Sequence, residues 1–203
     1  MRIAYLVKNF AEGDDLSEYV KSLAEYAASQ GHDPFVVSFD DGSHYTVSDD
    51  VEVERFELHF DGDSLYTWAM MMNNEMKAKV MEKMEDKEID VIHANDWTTA
   101  PGGVNLSNHL EIPLFLTIHS TENQRGFQGE NSQLISDLEL EGTFEADTVF
   151  ANNEDVKNSL LFDLDMSDEK VCVADPIHGG WQEKILKRYR EIIGKEAELE
   201  VKQ

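Results

Sequence analysis

Two stretches constrain the fold of this chain more than any other feature: Asp90 to Gly103, DVIHANDWTTAPGG, and Pro113 to Gly126, PLFLTIHSTENQRG. In each, a short apolar run stops abruptly at polar residues. Val91-Ile92 runs into His93-Ala94-Asn95-Asp96-Trp97, and Leu114 to Ile118 runs into His119. A buried strand that delivers polar groups at its carboxyl end is how open α/β sheets build ligand sites, because the crevice lies outside those strand ends. His93 and His119 stand 26 residues apart, near the ~30-residue span of a βαβ unit. The pattern predicts a site as well as a fold.

The rest of the chain fits the same architecture. Ile3 to Val7 reads as a buried first strand, followed by a helix from Leu16 to Gln30 with Tyr19, Leu23, Tyr26 and Ala27 on its inner face. Gly31 stops that helix, and Phe35 to Phe39 and Val51 to Phe56 read as strands. Asp63 or Ser64 caps a helix that ends near Met84, with Trp68, Met72, Met76 and Val80 on one side. The methionines there could form a peptide-binding surface, but core packing is the simpler reading. Strands at 90–93, 114–118, 148–151 and 170–174 alternate with helices at 104–110, 132–145 and 153–161. A last helix is expected over 177–193, carrying Trp181, Ile185, Tyr189 and Ile192 as an apolar stripe. Its Lys184, Lys187, Arg188 and Arg190 suggest docking on the acidic surface of the domain itself. Alternating continuous strands and helices predict a single Rossmann-like α/β domain, a doubly wound parallel sheet with the terminal helix packed back on it.

Composition narrows the partners. The chain has 42 acidic and 17 basic residues, a net charge of −25. Such a field repels nucleic acid and anionic membranes. An acidic tail does not account for it, because the carboxylates are spread along the chain, and no EF-hand pattern is present. A solvated halophilic surface, screened by bulk salt, fits best. One cysteine, Cys172, leaves no internal disulfide framework and no cysteine-rich metal site. MRIAYLVKNF opens a strand rather than a signal peptide, and no stretch approaches the ~18 apolar residues of a membrane span. A cytoplasmic protein is expected, without a metal or cofactor of its own.

DVIHANDWTTAP resembles the strand-loop-helix of glycogen and starch synthases, close to D-V-V-H-A-x-D-W-x-T-A. PLFLTIHSTENQRG is similar to the next strand and loop of the same GT-B glycosyltransferase superfamily. EADTVFANNEDVKNSLLFDLDMSDEKVCVADP resembles a later family segment, and MRIAYLV with LAEYAASQGHDPFVVS the opening strand and helix. The resemblance covers residues 1 to 176. It implies the N-terminal, acceptor-side domain of a two-domain enzyme, here without its nucleotide-sugar domain, with 177–203 as the helix and tail that return to the first domain. The implied reaction is glucosyl transfer from a nucleotide sugar to an α-glucan or other saccharide acceptor, once a nucleotide-sugar-binding domain or subunit completes the site. The rival is a non-catalytic glucan-binding or partner-binding module derived from that fold.

The resemblance makes His119 the catalytic candidate, facing the transferred sugar; a structural histidine is its plain alternative. Asp96 accepts sugar hydroxyls or caps a helix, and Trp97 offers a flat face to a pyranose or fills core. His93 binds substrate or orients the loop. Glu122 and Arg125 form an ion pair, or Arg125 meets phosphate. Gly13 stands in the turn where the family has Gly-Gly-Leu, but Asp14 and Asp15 follow it. Those carboxylates put negative charge where a diphosphate would sit. His93, Asp96 and His119 match no strong metal-ligand spacing, and neither a G-x-S-x-G elbow nor a Walker A loop occurs.

Overall fold

The structure is a computed structural model that describes residues 1–59, 62–85 and 87–200, with side chains to 194. In chain order the elements are β1 (Arg2–Val7), α1 (Asp15–Ser29), β2 (Asp33–Phe39), β3 (Glu52–Phe56), α2 (Leu65–Met84), β4 (Val91–Asn95) and α3 (Ala100–Leu110). There follow β5 (Leu114–Ile118), α4 (Glu122–Arg125), α5 (Ser132–Glu145), β6 (Thr148–Ala151), α6 (Glu154–Phe162), β7 (Val171–Val173) and α7 (Trp181–Glu200). The strands form one sheet of order β3-β2-β1-β4-β5-β6-β7, and every pairing is parallel.

Strand side chains alternate between faces, and the core divides accordingly. Ala4 and Leu6 point toward α2, α3 and α6, among Met72, Met76, Leu106 and Leu160. Ile3, Tyr5 and Val7 point toward α1 and α7, among Tyr19, Leu23, Ile185 and Tyr189. Both faces are covered, which is why the strands read as unbroken apolar runs rather than alternating ones. Met72 and Met76 are fully buried core residues. Cys172 is a free, half-buried thiol beside the α1–α7 core.

Helix α7 begins at Trp181, four residues later than the expected Ile177, because Gly180 adopts φ +82°, a left-handed conformation that suits glycine and breaks the helix. Its stripe of Trp181, Ile185, Leu186 and Tyr189 is buried against the sheet, worth ~1.5–3 kcal/mol per large side chain. The helix docks through that stripe, and of its basic residues Arg188 also reaches the domain, at neutral oxygens and not at carboxylates. Arg190 pairs with Glu183 and Arg188 with Glu191, both within the helix, while Arg188 Nε also donates to Thr148 Oγ1 at 2.9 Å. The last three residues of the expected tail lie outside the described residues.

Candidate functional site

The strand order reverses between β1 and β4, so the crevice expected of an open α/β sheet lies above the carboxyl ends of those two strands. Asn95 pins the junction: its Nδ2 donates to Leu6 O across the switch point at 3.1 Å. Strand β4 runs two residues past His93, so Asp96 is the residue that leaves the sheet. It does so at φ +61°, a conformation Asp tolerates better than most residues.

From that position Asp96 ties two strand ends together. Its N–H donates to Thr117 O at 2.8 Å, and its Oδ1 accepts the His119 N–H at 3.0 Å. Burial pushes its carboxyl up to about 6, against the pull of the His119 N–H and of Arg125. Asp96 therefore positions the His119 backbone. Trp97 is half-buried beside it.

The glycines of TTAPGG seat α3 close to its neighbours. Asn73 of α2 donates to Thr98 O and accepts Gly102 N–H, both at 2.8 Å. A Cβ on Gly102 would lie 2.5 Å from Asn73 Oδ1, and one on Gly103 2.9 Å from Leu114. Only a hydrogen fits at either place.

A cleft of about 480 Å³ opens at the same edge, lined by Asp15, Glu18, Tyr19, Ser22, His119, Asn152, Pro176 and Trp181. Asp14 caps α1 by accepting Ser17 N–H at 2.8 Å and its hydroxyl at 2.6 Å, so it is engaged at the helix end. Asp15 and Glu18 form the acidic wall instead. The preceding turn needs Gly13 for its backbone, φ +81°, and leaves open space where its side chain would be. No Lys or Arg is among the lining residues.

His119 follows β5, its ring set edge-on to Tyr19 at 4.8 Å and 86°. Tyr19 in turn stacks on Trp181 at 4.4 Å, so the first residue of α7 completes this wall. His119 Nδ1 lies 3.4 Å from Asn152 Nδ2, and Nε2 is buried without a hydrogen-bond partner among the described residues. Burial pulls the ring down to about 4, so it is neutral at pH 7. A neutral imidazole facing carboxylates suits sugar hydroxyls better than a diphosphate.

Of the residues singled out by sequence, the structure brings only His119 to this cleft wall. His93 lies inside β4, fully buried beneath α7. Its Nδ1 bonds Tyr189 OH and its Nε2 bonds Thr117 Oγ1 at 2.7 Å, leaving no nitrogen for a substrate. Burial lowers its ring to about 3. Glu122 and Arg125 form the ion pair. Arg125 Nε donates to Glu122 Oε2 at 2.8 Å, Nη2 to buried Glu139 at 2.5 Å, and Nη1 to Ser120 O at 2.8 Å. The guanidinium is spent on holding the loop after His119. Glu122 N–H also donates to Glu139 at 2.8 Å, while burial raises the Glu139 carboxyl.

Sequence reasoning placed Asp15 only as charge in the diphosphate turn, and did not single out Glu18, Ser22, Asn152, Pro176 or Trp181 as site residues. A signal existed for Asp15, Glu18 and Ser22, which follow i, i+3, i+7 spacing on the outer face of α1. Asn152 ends β6 as His119 ends β5. Among the described residues, no group of three His, Cys, Asp or Glu side chains is arranged to hold a metal ion, and no helix is long and apolar enough to cross a membrane.

Known proteins show the same architecture. A glycosyltransferase of Methanocaldococcus jannaschii, itself uncharacterised, is 32% identical over 194 residues, 88% of this chain and 48% of its own length. A glycogen synthase of Mycobacterium tuberculosis is 28% identical over 125 residues, 53% of this chain and 30% of its own. The chain thus spans half or less of the curated relatives it matches. Sucrose-phosphate synthase from Thermosynechococcus elongatus superposes with a TM-score of 0.72 over 86% of this chain and 47% of its own, at 14% identity, a likeness of fold. Residues 16–176 match the model of Glycosyltransferase Family 4, and the chain belongs to that family.

Proposed function

We propose that this chain is the acceptor-side unit of a glycogen- or starch-synthase-like glycosyltransferase. Residues 1–176 are its N-terminal Rossmann-like domain and 177–203 its returning helix and tail. A nucleotide-sugar-binding domain or subunit closes over the cleft, and glucose passes from the nucleotide sugar to an α-glucan end. His119 is the observation that carries this reading: a neutral ring with an unpartnered nitrogen at a strand's carboxyl end, on the wall of a cleft large enough for a sugar. The similarity to glycogen synthase supports glucan as the acceptor. His119 hydrogen-bonds the transferred sugar, while Asp96 holds its backbone. Arg125, Glu122 and Glu139 hold the loop behind it. The chain's contribution to rate is positioning and exclusion of water. Its charge of −25 fits the cytoplasm of a halophile.

A second reading is favoured by Asp15 and Glu18, which face a cleft with no Lys or Arg among its lining residues. They suit a non-catalytic glucan-binding or partner-binding module that has given up the diphosphate. Radiolabelled transfer from nucleotide glucose to glycogen, at high salt, separates the two. The chain is assayed with and without a separately expressed nucleotide-sugar domain. Transfer only in the mixture, lost in His119→Ala, supports the first reading. Glucan binding without transfer in either tube supports the second. Turnover by the chain alone at an ordinary ~1 to 10³ per second overturns the acceptor-side reading.

A further inference from the structure

Between α7 and the cleft lies a buried polar chain in a largely apolar core, where the Tyr5 hydroxyl is also buried. Tyr189 OH meets His93 Nδ1, His93 Nε2 meets Thr117 Oγ1 at 2.7 Å, and Thr117 Oγ1 faces Tyr19 OH at 3.5 Å. All four side chains are buried. The Tyr189 ring needs none of this to pack, since it lies 4.5 Å from Phe115 and edge-on to His93 at 5.8 Å. A buried imidazole in place of an apolar side chain is costly unless both nitrogens are satisfied. The structure meets that condition with one hydroxyl from α7 and one from β5. The chain then ends on Tyr19, which touches His119 on one side and Trp181 on the other.

We propose that Tyr189 and His93 are positioning residues, which lock α7 to β5 so that Tyr19 and Trp181 hold the His119 ring at the cleft wall. Helix α7 then sets the cleft at two points, directly through Trp181 and indirectly through the hydroxyl–imidazole chain. Neutral His93 donates from one nitrogen and accepts at the other. The chain therefore has a direction, and loss of either terminal hydroxyl disturbs the whole of it. The consequence for transfer rests on the sugar-site reading above; the arrangement itself does not.

The test reads the His119 ring by NMR in the full chain with no sugar present, so it stands apart from that reading. Tyr189→Phe keeps the ring and removes only the hydroxyl. Ser107→Ala serves as control, because it removes a hydroxyl bonded to Ile112 O at 2.7 Å on α3, outside the chain. The expected result is that Tyr189→Phe shifts the His119 ring resonances and their titration midpoint, while Ser107→Ala leaves both unchanged. Thr117→Val should shift them further, being nearer. The Tyr189→Phe/Thr117→Val double variant should change them by less than the sum of the singles, because both break one chain. His119 signals unmoved in a folded Tyr189→Phe, or an additive double variant, would overturn the proposal. So would a fall in melting temperature as its only effect.

Discussion

A neutral imidazole on an acidic wall has one useful property for sugar chemistry: it exchanges hydrogen bonds with hydroxyls without carrying charge of its own. His119 has that state because burial holds its ring near 4. His119→Ala should lower transfer by the completed enzyme ~10²–10³-fold, the usual cost of losing one group placed for the transition state, with little change in melting temperature. A loss below tenfold would remove His119 from the reaction.

The same residues set the acid limb of stability. His93 and His119 are neutral in the fold, at about 3 and about 4, against an ordinary 6.5. Their contribution is complete above about pH 6.5 and is lost as pH falls through the folded values. Asp96 acts with the opposite sign. It is raised from 3.8 to about 6, so its contribution is present below 3.8 and lost as pH rises through 6. Glu139, also raised by burial, shares that sign, so the comparison with a variant at Asp96 isolates the Asp96 contribution. Asp96→Asn keeps an acceptor for His119 N–H and removes its opposing contribution. Between about pH 4 and 6 its stability should fall with acid more steeply, by up to ~1.4 kcal/mol per pH unit. Urea melts across that range check this, and equal slopes for both proteins would contradict it.

Residue roles were only partly legible in the sequence. His93 and His119 both follow short apolar runs, but β4 continues two residues past the first while β5 stops before the second. That offset sends one ring into the core and the other to the cleft. Local pattern does not carry it, because it depends on which neighbour each strand pairs with.

Among the elements, β5, α5 and β6 have the predicted bounds, since a helix-length stretch or a short apolar run bounded by polar residues is set locally. Helix α4 escaped prediction because four residues give no periodicity. It is held by a Thr121–Gln124 capping box and by Arg125. Ile177 reads as helical in the sequence, but Gly180 at φ +82° sets the start of α7 at Trp181. Close packing is another element property. Gly102→Ala would gain about 0.5–1 kcal/mol of helix propensity, but would press a methyl onto Asn73 Oδ1. Asn73 is held by hydrogen bonds to Ala69, Thr98 and Gly102 and yields only by breaking one. Overpacking of this kind costs ~1–3 kcal/mol, so the net change should be destabilising by about 1–2 kcal/mol. Chemical denaturation measures it, and a neutral or stabilised variant would show that α3 has room to move.

For the whole molecule the fold class was the most legible feature, because it rests on the order of strands and helices and not on any one boundary. The charge is legible too and has a thermodynamic consequence. At 0.01 M salt the screening length is about 30 Å, comparable with the domain, and the carboxylates repel across it; at 1 M it is about 3 Å. The melting temperature should rise by about 5 °C or more between these conditions, since roughly 2–4 °C accompanies each kcal/mol in a chain of this size. An unchanged melting temperature would count against the halophilic surface.

The cleft beside His119 is the proposed seat of a glucan. A titration of the isotope-labelled chain with maltotriose at high salt tests it most directly, followed by NMR. A glucan bound there should give saturable shifts at His119, Asn152, Tyr19, Trp181 and Asp15, which line the cleft, and these should be lost in His119→Ala. Shifts confined to another surface, or none up to millimolar sugar, would contradict it.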